Sequence, residues 1–302
     1  TASLIRGVLA KLHKAGYPVA GFDMYVTSTV LPGSGLSSSA ACEVLIGTTG
    51  NHLFCQDKFD AVEIAKIGQA AENEYFGKPC GLMDQTASSV GDAVAIDFKD
   101  PANPIVRSIN ADLTGLGLAL CIIDCGADHA ALTNEYASIP EEMCKVAAHF
   151  GKKVLREVKE EDLLADLAQV RKEAGDRAVL RALHFYADDR RAAEEADALE
   201  RKDKEAFLNL VKESGRSSWE LLQIITPAAA ITHQDMAVAL AVAEKALNGK
   251  GACRVHGGGF AGTIQAFVPV EDVCEFKKTM ETMLSEGCCH VLSIRPAGGL
   301  IL

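Results

Sequence analysis

Leu4, Val8, Leu9 and Leu12 recur at helical spacing, and Gly16 ends the run, so the chain is predicted to open on a helix. The next segment, FDMYVTSTVL at 22–31, is rich in β-branched and aromatic residues and predicts a strand. Pro32, Gly33, Ser34 and Gly35 break it. Helices are predicted from about 37 to 54 and from about 57 to 76. The second carries Phe59, Val62, Ile67 and Ala71 on one face and is stopped by Gly77 and Pro79. Three strand-like runs follow: AVAIDF, NPIVRSIN and LALCIID. From about 132 to 250 the pattern is almost wholly helical and highly charged. Its charge runs, such as 188–191, read as solvated helix faces. A glycine cluster, a strand (TIQAFVPV), a helix (EDVCEFKKTMETMLSEG) and a last strand-like segment complete the chain. Strands and helices mix without regular βαβ alternation, which predicts an α+β fold with a boundary near residues 110–115.

At 302 residues the chain has room for two domains, and 48% hydrophobic residues supply their cores. The net charge of −11, with no basic run, argues against a nucleic-acid or anionic-membrane partner. It does not exclude a phosphate ligand, because backbone amides and Mg²⁺ hold phosphates locally. The ten cysteines form no CxxC pair and read as reduced, mostly buried thiols of a cytoplasmic protein. No signal-peptide pattern is read in these residues and none is expected, and no apolar stretch approaches the ~18 residues of a membrane span.

Three segments carry chemistry. In LPGSGLSSSAACEVLIG a strand is followed by a glycine/serine turn and a helix. The amides from Gly35 to Ala40 then lie at a helix N-terminus, a natural phosphate site, although a plain turn with a serine cap fits the same residues. It is not a Walker A loop, because the GK[ST] lysine is absent. In GKPCGLMDQTASS, Asp84 lies among apolar residues and is expected to be semi-buried. There it would be either a group that orients or deprotonates a hydroxyl, or a helix cap. Glu72, twelve residues earlier, is either a Mg²⁺ ligand or a surface carboxylate. In RVHGGGFAGTIQAF, Gly257, Gly258 and Gly259 are either a second phosphate wrap or an ordinary hairpin turn, and His256 reads as a core or capping residue.

Together these segments resemble the galactokinase family of the GHMP kinase superfamily. The family's P-x-G-x-GLSSSA loop is met by PGSGLSSSA at 32–40, its G-[IL]-MDQ motif by GLMDQ at 81–85, and its R-x-TG-x-GFGG motif by RVHGGGFAG at 254–262. The stretch from Asp124 to Tyr136 and RALHFYADDRR near 181–191 are also similar to family segments. The departures are Pro32 directly beside Gly33, His256 in place of threonine, and Ala261 in place of glycine. The family's GRxNLIGEHTDY segment has no counterpart, so the chain is expected to be a truncated member, its domains falling at 1–112 and 113–302.

The resemblance implies a two-domain α+β fold with the active site in the inter-domain cleft. It implies that Asp84 is the catalytic base or orienting group at the sugar's anomeric hydroxyl, and that Gly81 and Tyr136 contact the sugar. Gly33, Ser34, Gly35, Leu36, Ser37, Ser38 and Ser39 would cradle ATP, Gly257–Gly259 would close the phosphate site, and Ser39 and Glu72 would hold Mg²⁺. The implied reaction is phosphorylation of galactose by ATP, with a sugar and ATP as the partners and the protein a monomer or weak homodimer. Two alternatives stay open: a kinase of the superfamily acting on another sugar or small alcohol, and a non-catalytic galactose/ATP sensor.

Overall fold

The computed structural model describes residues 1–302 apart from 31–35, 79, 127–131 and 261. The chain forms two compact units, Thr1–Ala111 with Ile294–Leu302, and Asp112–Ser293. The expected second domain, 113–302, is therefore corrected at its end, because residues 294–302 pack with the first unit.

In the first unit, α1 (Ala2–Lys14) buries Leu4, Val8 and Leu12, the stripe its spacing predicts. Val8 packs with Ile46 of α2 (Ser38–Cys55). A capping box of Asp60 and Glu63 starts α3 (Ala61–Ala70), satisfying two amides at its first turn. The helix then widens into a π-helical turn over Ala71–Phe76. After α4 (Met83–Val90) comes an antiparallel hairpin of β1 (Ala93–Asp97) and β2 (Ile105–Ile109), with Ala93 opposite Ile109. The strand expected over 22–31 is not formed. Residues 22–29 run without regular structure, Tyr25 is 92% exposed, and Leu31 lies outside the described residues. A strand needs a hydrogen-bonded neighbour, and among the described residues β1 and β2 pair only with each other. High β propensity without a ladder partner leaves an extended, unpaired segment.

The C-terminal residues strap α4 in place. Asp92 N donates to the Arg295 carbonyl at 2.8 Å and Gly299 N to the Ser89 carbonyl at 3.2 Å. Gly298 lies so close that a Cβ there would sit 1.9 Å from the Ser89 carbonyl oxygen, so no side chain fits.

The second unit runs from β3 (Leu118–Asp124) through α5 (Thr133–His149), α6 (Glu160–Ala165), α7 (Leu167–Ala174), α8 (Asp176–Glu200) and α9 (Lys204–Ser217) to a second π-helical turn, Ser218–Leu222. Then come α10 (Asp235–Leu247), β4 (Ala252–Val255), β5 (Thr263–Pro269), α11 (Val273–Met283) and β6 (Cys289–Leu292). The sheet order is β4-β5-β3-β6, antiparallel throughout, with Cys121 opposite both Ala266 and Val291. Ile123, Ile264 and Ala266 of the sheet pack with Met236 and Ala239 of α10 and Met280 of α11. A separate helical core holds Val146, Leu163, Val170 and Ala182. The expectation that the 188–191 charges are only solvated is corrected for two of them. Asp188 accepts from Ser214 Oγ at 2.7 Å and pairs with Arg191, which is 13% exposed, because α9 covers this side of α8.

His149, ending α5, bridges two carboxylates: Nδ1 to Glu173 at 2.7 Å and Nε2 to Asp166 at 2.8 Å. The Glu173 hydrogen bond, then that of Asp166, raises the imidazole above its ordinary value. A raised folded-state value means the folded chain holds the proton more tightly. The contribution is thus complete below the unfolded value of 6.5 and disappears as pH rises through the folded value. His149→Gln should accordingly lower the thermal midpoint more near pH 5.5 than near pH 9. Equal losses at both would show that the ring carries no proton-linked stability.

Candidate active site

The serine run opens α2. Ser37 takes a left-handed conformation, φ 54° and ψ 55°, at the cap position, and its hydroxyl does not cap the helix. The helical ladder begins with Ala41 N donating to the Ser37 carbonyl. The amides of Ser38, Ser39 and Ala40 precede that bond, and no acidic side chain occupies the first turn. This is an anion-accepting end. Leu36, Ser37, Ser38 and Ser39 are half-buried. Gly33, Ser34 and Gly35 lie outside the described residues.

The hydroxyl of Ser37 instead donates to Asp84 Oδ2 at 2.5 Å. Asp84 is the second residue of α4, and Leu82 holds the cap position, so the helix-cap reading fails. The semi-buried expectation is also corrected: Asp84 is exposed, because its apolar neighbour Leu82 turns inward while Asp84 and Met83 face out. Its exposure leaves the carboxylate open to a ligand.

Glu72 sits in the first π-helical turn and is only 2% exposed, so it is no surface carboxylate. A π turn adds a residue and re-aims the side chains that follow, a device common at functional sites. Gln85, also buried, donates its Nε2 to two carboxylates, to Glu72 Oε2 at 3.1 Å and to Glu43 Oε2 at 3.0 Å. Glu43 projects from α2, and its burial pushes the carboxyl up to about 7. The Gln85 hydrogen bond opposes that rise, and the nearby Glu72 adds to it. Lys78 Nζ lies 3.4 Å from Glu72 Oε1. Asn73 and Gln69 reach the Cys80 backbone, which ties the loop carrying the exposed Gly81 to the helix before it. Glu43 and Gln85 were not singled out by sequence reasoning. The available signal was a lone carboxylate inside the apolar stretch AACEVLIG and an amide directly after the candidate base.

In the second unit, Gly257–Gly259 lie in the connection between the paired strands β4 and β5, and His256 ties that connection to the start of β5. His256 N donates to the Thr263 carbonyl at 3.1 Å, and Nδ1 meets Thr263 Oγ1 at 3.0 Å. Gly257 and Gly258 are exposed. Gly259 is buried at φ 76°, and a Cβ there would lie 2.3 Å from the Ile224 carbonyl. Tyr136, in the first turn of α5, donates its hydroxyl to the Gly259 carbonyl at 2.9 Å and packs edge-on against Phe260 at 5.4 Å. Tyr136 thus braces the glycine turn. Within the first unit the fold brings together Ser37 with Asp84, and Glu43 with Gln85 and Glu72. Tyr136 and Gly257–Gly259 form a second group in the other unit.

The family of motifs implies Mg²⁺, and the donors fit it. Ser39 offers a hydroxyl and Glu72 a carboxylate whose Oε1 accepts no hydrogen bond and faces Lys78 Nζ at 3.4 Å, both hard oxygen ligands. Among the described residues no cluster of three or more His, Cys, Asp or Glu could hold a metal, so the ion would depend on phosphate and water for its other ligands. No described helix is long and apolar enough to cross a membrane.

Comparison with known proteins shows the family. Residues 3–92 match the family model described as the GHMP kinases N terminal domain. A galactokinase of Streptomyces coelicolor is 34% identical over 275 residues, 91% of this chain and 68% of that protein. A galactokinase of Actinobacillus pleuropneumoniae is 33% identical over 275 residues, 90% of this chain and 68% of its own length. The crystal structure of Lactococcus lactis galactokinase complexed with galactose superposes with a TM-score of 0.77, at 23% identity, covering 99% of this chain and 75% of that one. A helix-opening serine run bonded to the GLMDQ aspartate, and one-third identity over nine-tenths of the chain, place this protein in the galactokinase family of GHMP sugar kinases.

Proposed function

We propose that the protein transfers the γ-phosphoryl group of ATP to the anomeric hydroxyl of galactose, giving galactose 1-phosphate and ADP. The 2.5 Å bond between Ser37 Oγ and Asp84 Oδ2 carries this reading, because it puts the carboxylate beside the anion-accepting start of α2. The amides of Ser38, Ser39 and Ala40 hold phosphate oxygens without reorganising, which is where charge accumulates during phosphoryl transfer. Asp84 orients the hydroxyl and takes its proton as oxygen attacks phosphorus, with ADP leaving in line and no phosphoenzyme formed. Gly33, Ser34, Gly35, Leu36 and Ser37 complete the phosphate loop, and Gly257–Gly259 are a second phosphate contact. Gly81 and Tyr136 are assigned to the sugar, Tyr136 also holding the glycine turn. Mg²⁺ held by Ser39 and Glu72 would neutralise phosphate charge when bound. The protein is assigned to the cytoplasm.

ADP release should be measured with galactose, glucose, mannose, N-acetylgalactosamine, mevalonate and homoserine at equal concentration. Galactose is expected to give the highest kcat/KM. A higher value for another acceptor would move the assignment to that alcohol, and binding of ATP and galactose without ADP release would indicate a sensor.

A further inference from the structure

The start of α2 carries a backbone outlier. Ser37, at φ 54° and ψ 55°, lies in the left-handed region, where a Cβ is crowded and glycine is preferred. Gln56 and Asn248 are also left-handed, but they close helices, where that conformation is ordinary. Ser37 opens one. A serine in that place is normally extended, and its hydroxyl oxygen accepts from an amide of the first turn. Asp60 caps α3 in that way, extended at φ −76° and taking the Glu63 amide at 2.8 Å.

The side chain of Ser37 goes elsewhere. Its hydroxyl leaves the helix end, so the first amides of α2 stay open, and it donates to Asp84 Oδ2 at 2.5 Å. Among the described residues this is the only hydrogen bond of the Asp84 carboxylate, which makes no ion pair there, and Oδ1 has no donor. An exposed aspartate otherwise turns about two side-chain bonds. One short bond from a residue at a fixed backbone position removes most of that freedom. A serine hydroxyl has a single proton to donate. Given to Asp84, it is not available to a phosphate oxygen.

We infer that Ser37 is a positioning residue: its hydroxyl holds the Asp84 carboxylate by Oδ2 and leaves Oδ1 as the atom that takes the proton of the attacking alcohol, while only the Ser37 backbone serves the phosphate loop. The inference rests on the reading of Asp84 as the acid–base group. It divides the serine run into two tasks, phosphate for the amides of Ser38, Ser39 and Ala40, and the base for the hydroxyl of Ser37. Left-handed strain at a non-glycine residue persists where the surroundings enforce it, and it gathers at functional sites.

Ser37→Gly tests this, because glycine adopts the left-handed backbone freely and only the hydroxymethyl group is lost. It should lower kcat for ADP release about tenfold, since a misaligned base reacts less often. KM for ATP and the calorimetric Kd of ATP should stay within about threefold, and the thermal midpoint should stay in place. In an Asp84→Asn background the same substitution should change kcat less than about twofold, because no carboxylate is left to position. A tenfold loss in both backgrounds would overturn the inference, and so would parental kcat in Ser37→Gly beside a normal loss in Asp84→Asn. A tenfold weaker Kd for ATP in Ser37→Gly, a measurement that needs no turnover, would assign the hydroxyl to phosphate and overturn it too. Parental kcat in Asp84→Asn alone would remove the acid–base reading itself, and this inference with it.

Discussion

Asp84→Asn is expected to lower kcat for ADP release by on the order of 10²-fold or more, the usual weight of a positioned acid–base group. That corresponds to about 2.7 kcal/mol of lost transition-state stabilisation. The substitution keeps the shape of the side chain and an oxygen able to accept from Ser37, so the start of α2 and the first turn of α4 should stay as they are. It removes only the negative oxygen that draws the proton from the attacking hydroxyl. Asp84 is exposed, so its folded environment demands little of it and the thermal midpoint should barely move. KM for the sugar should change less than kcat, because an interaction made mainly in the transition state appears in kcat. Turnover near the parent value would remove Asp84 from the chemistry and leave the carboxylate a structural partner of Ser37.

The parts of the molecule legible in the sequence were those decided by local pattern. The stripe Leu4–Val8–Leu12 gave α1, the glycine/serine run located the start of α2, and the apolar runs at β1, β3 and β5 announced strands. What stayed hidden depended on distant partners. The segment 22–29 has the composition of a strand but finds no ladder, and pairing is not a property of one segment. β4 is four residues long and follows glycines, too short for alternation to register. The last nine positions return to the first unit because Gly298 and Gly299 fit against Ser89 and Thr48, a contact between segments some two hundred residues apart. At the site, Asp84 was visible as a motif position and Glu72 as a carboxylate twelve residues before it, but their exposures came out reversed, the expected semi-buried group outside and the possible surface group inside. A π turn causes the second reversal, and helix pattern alone does not foretell where one will form.

Gln85→Leu is expected to destabilise the protein by about 3 kcal/mol, more than its near-isosteric volume would suggest. In the folded chain one amide nitrogen serves two buried carboxylates, Glu43 Oε2 and Glu72 Oε2, whose other oxygens accept no hydrogen bond. Leucine would fill the space and leave both Oε2 atoms unbonded, with two buried carboxylates whose repulsion Lys78, 3.4 Å from Glu72 Oε1, offsets only in part. The sign of the pH dependence follows from Glu43. Burial raises its carboxyl from 4.5 to about 7, while the Gln85 hydrogen bond pulls it down. A raised folded value means that Glu43's contribution is complete below pH 4.5 and is lost as pH rises through about 7. Removing the amide lifts the folded value further, so the variant should lose more stability near pH 8, where the parent holds Glu43 ionised, than near pH 5, where both hold it protonated. Urea unfolding of parent and variant at the two pH values, without Mg²⁺, measures the difference. A loss independent of pH would mean that Gln85 acts by packing alone. Because the same amide holds Glu72 and Gln85 directly follows Asp84 in α4, the folded variant should also show a lower kcat, with KM for ATP and sugar changed less.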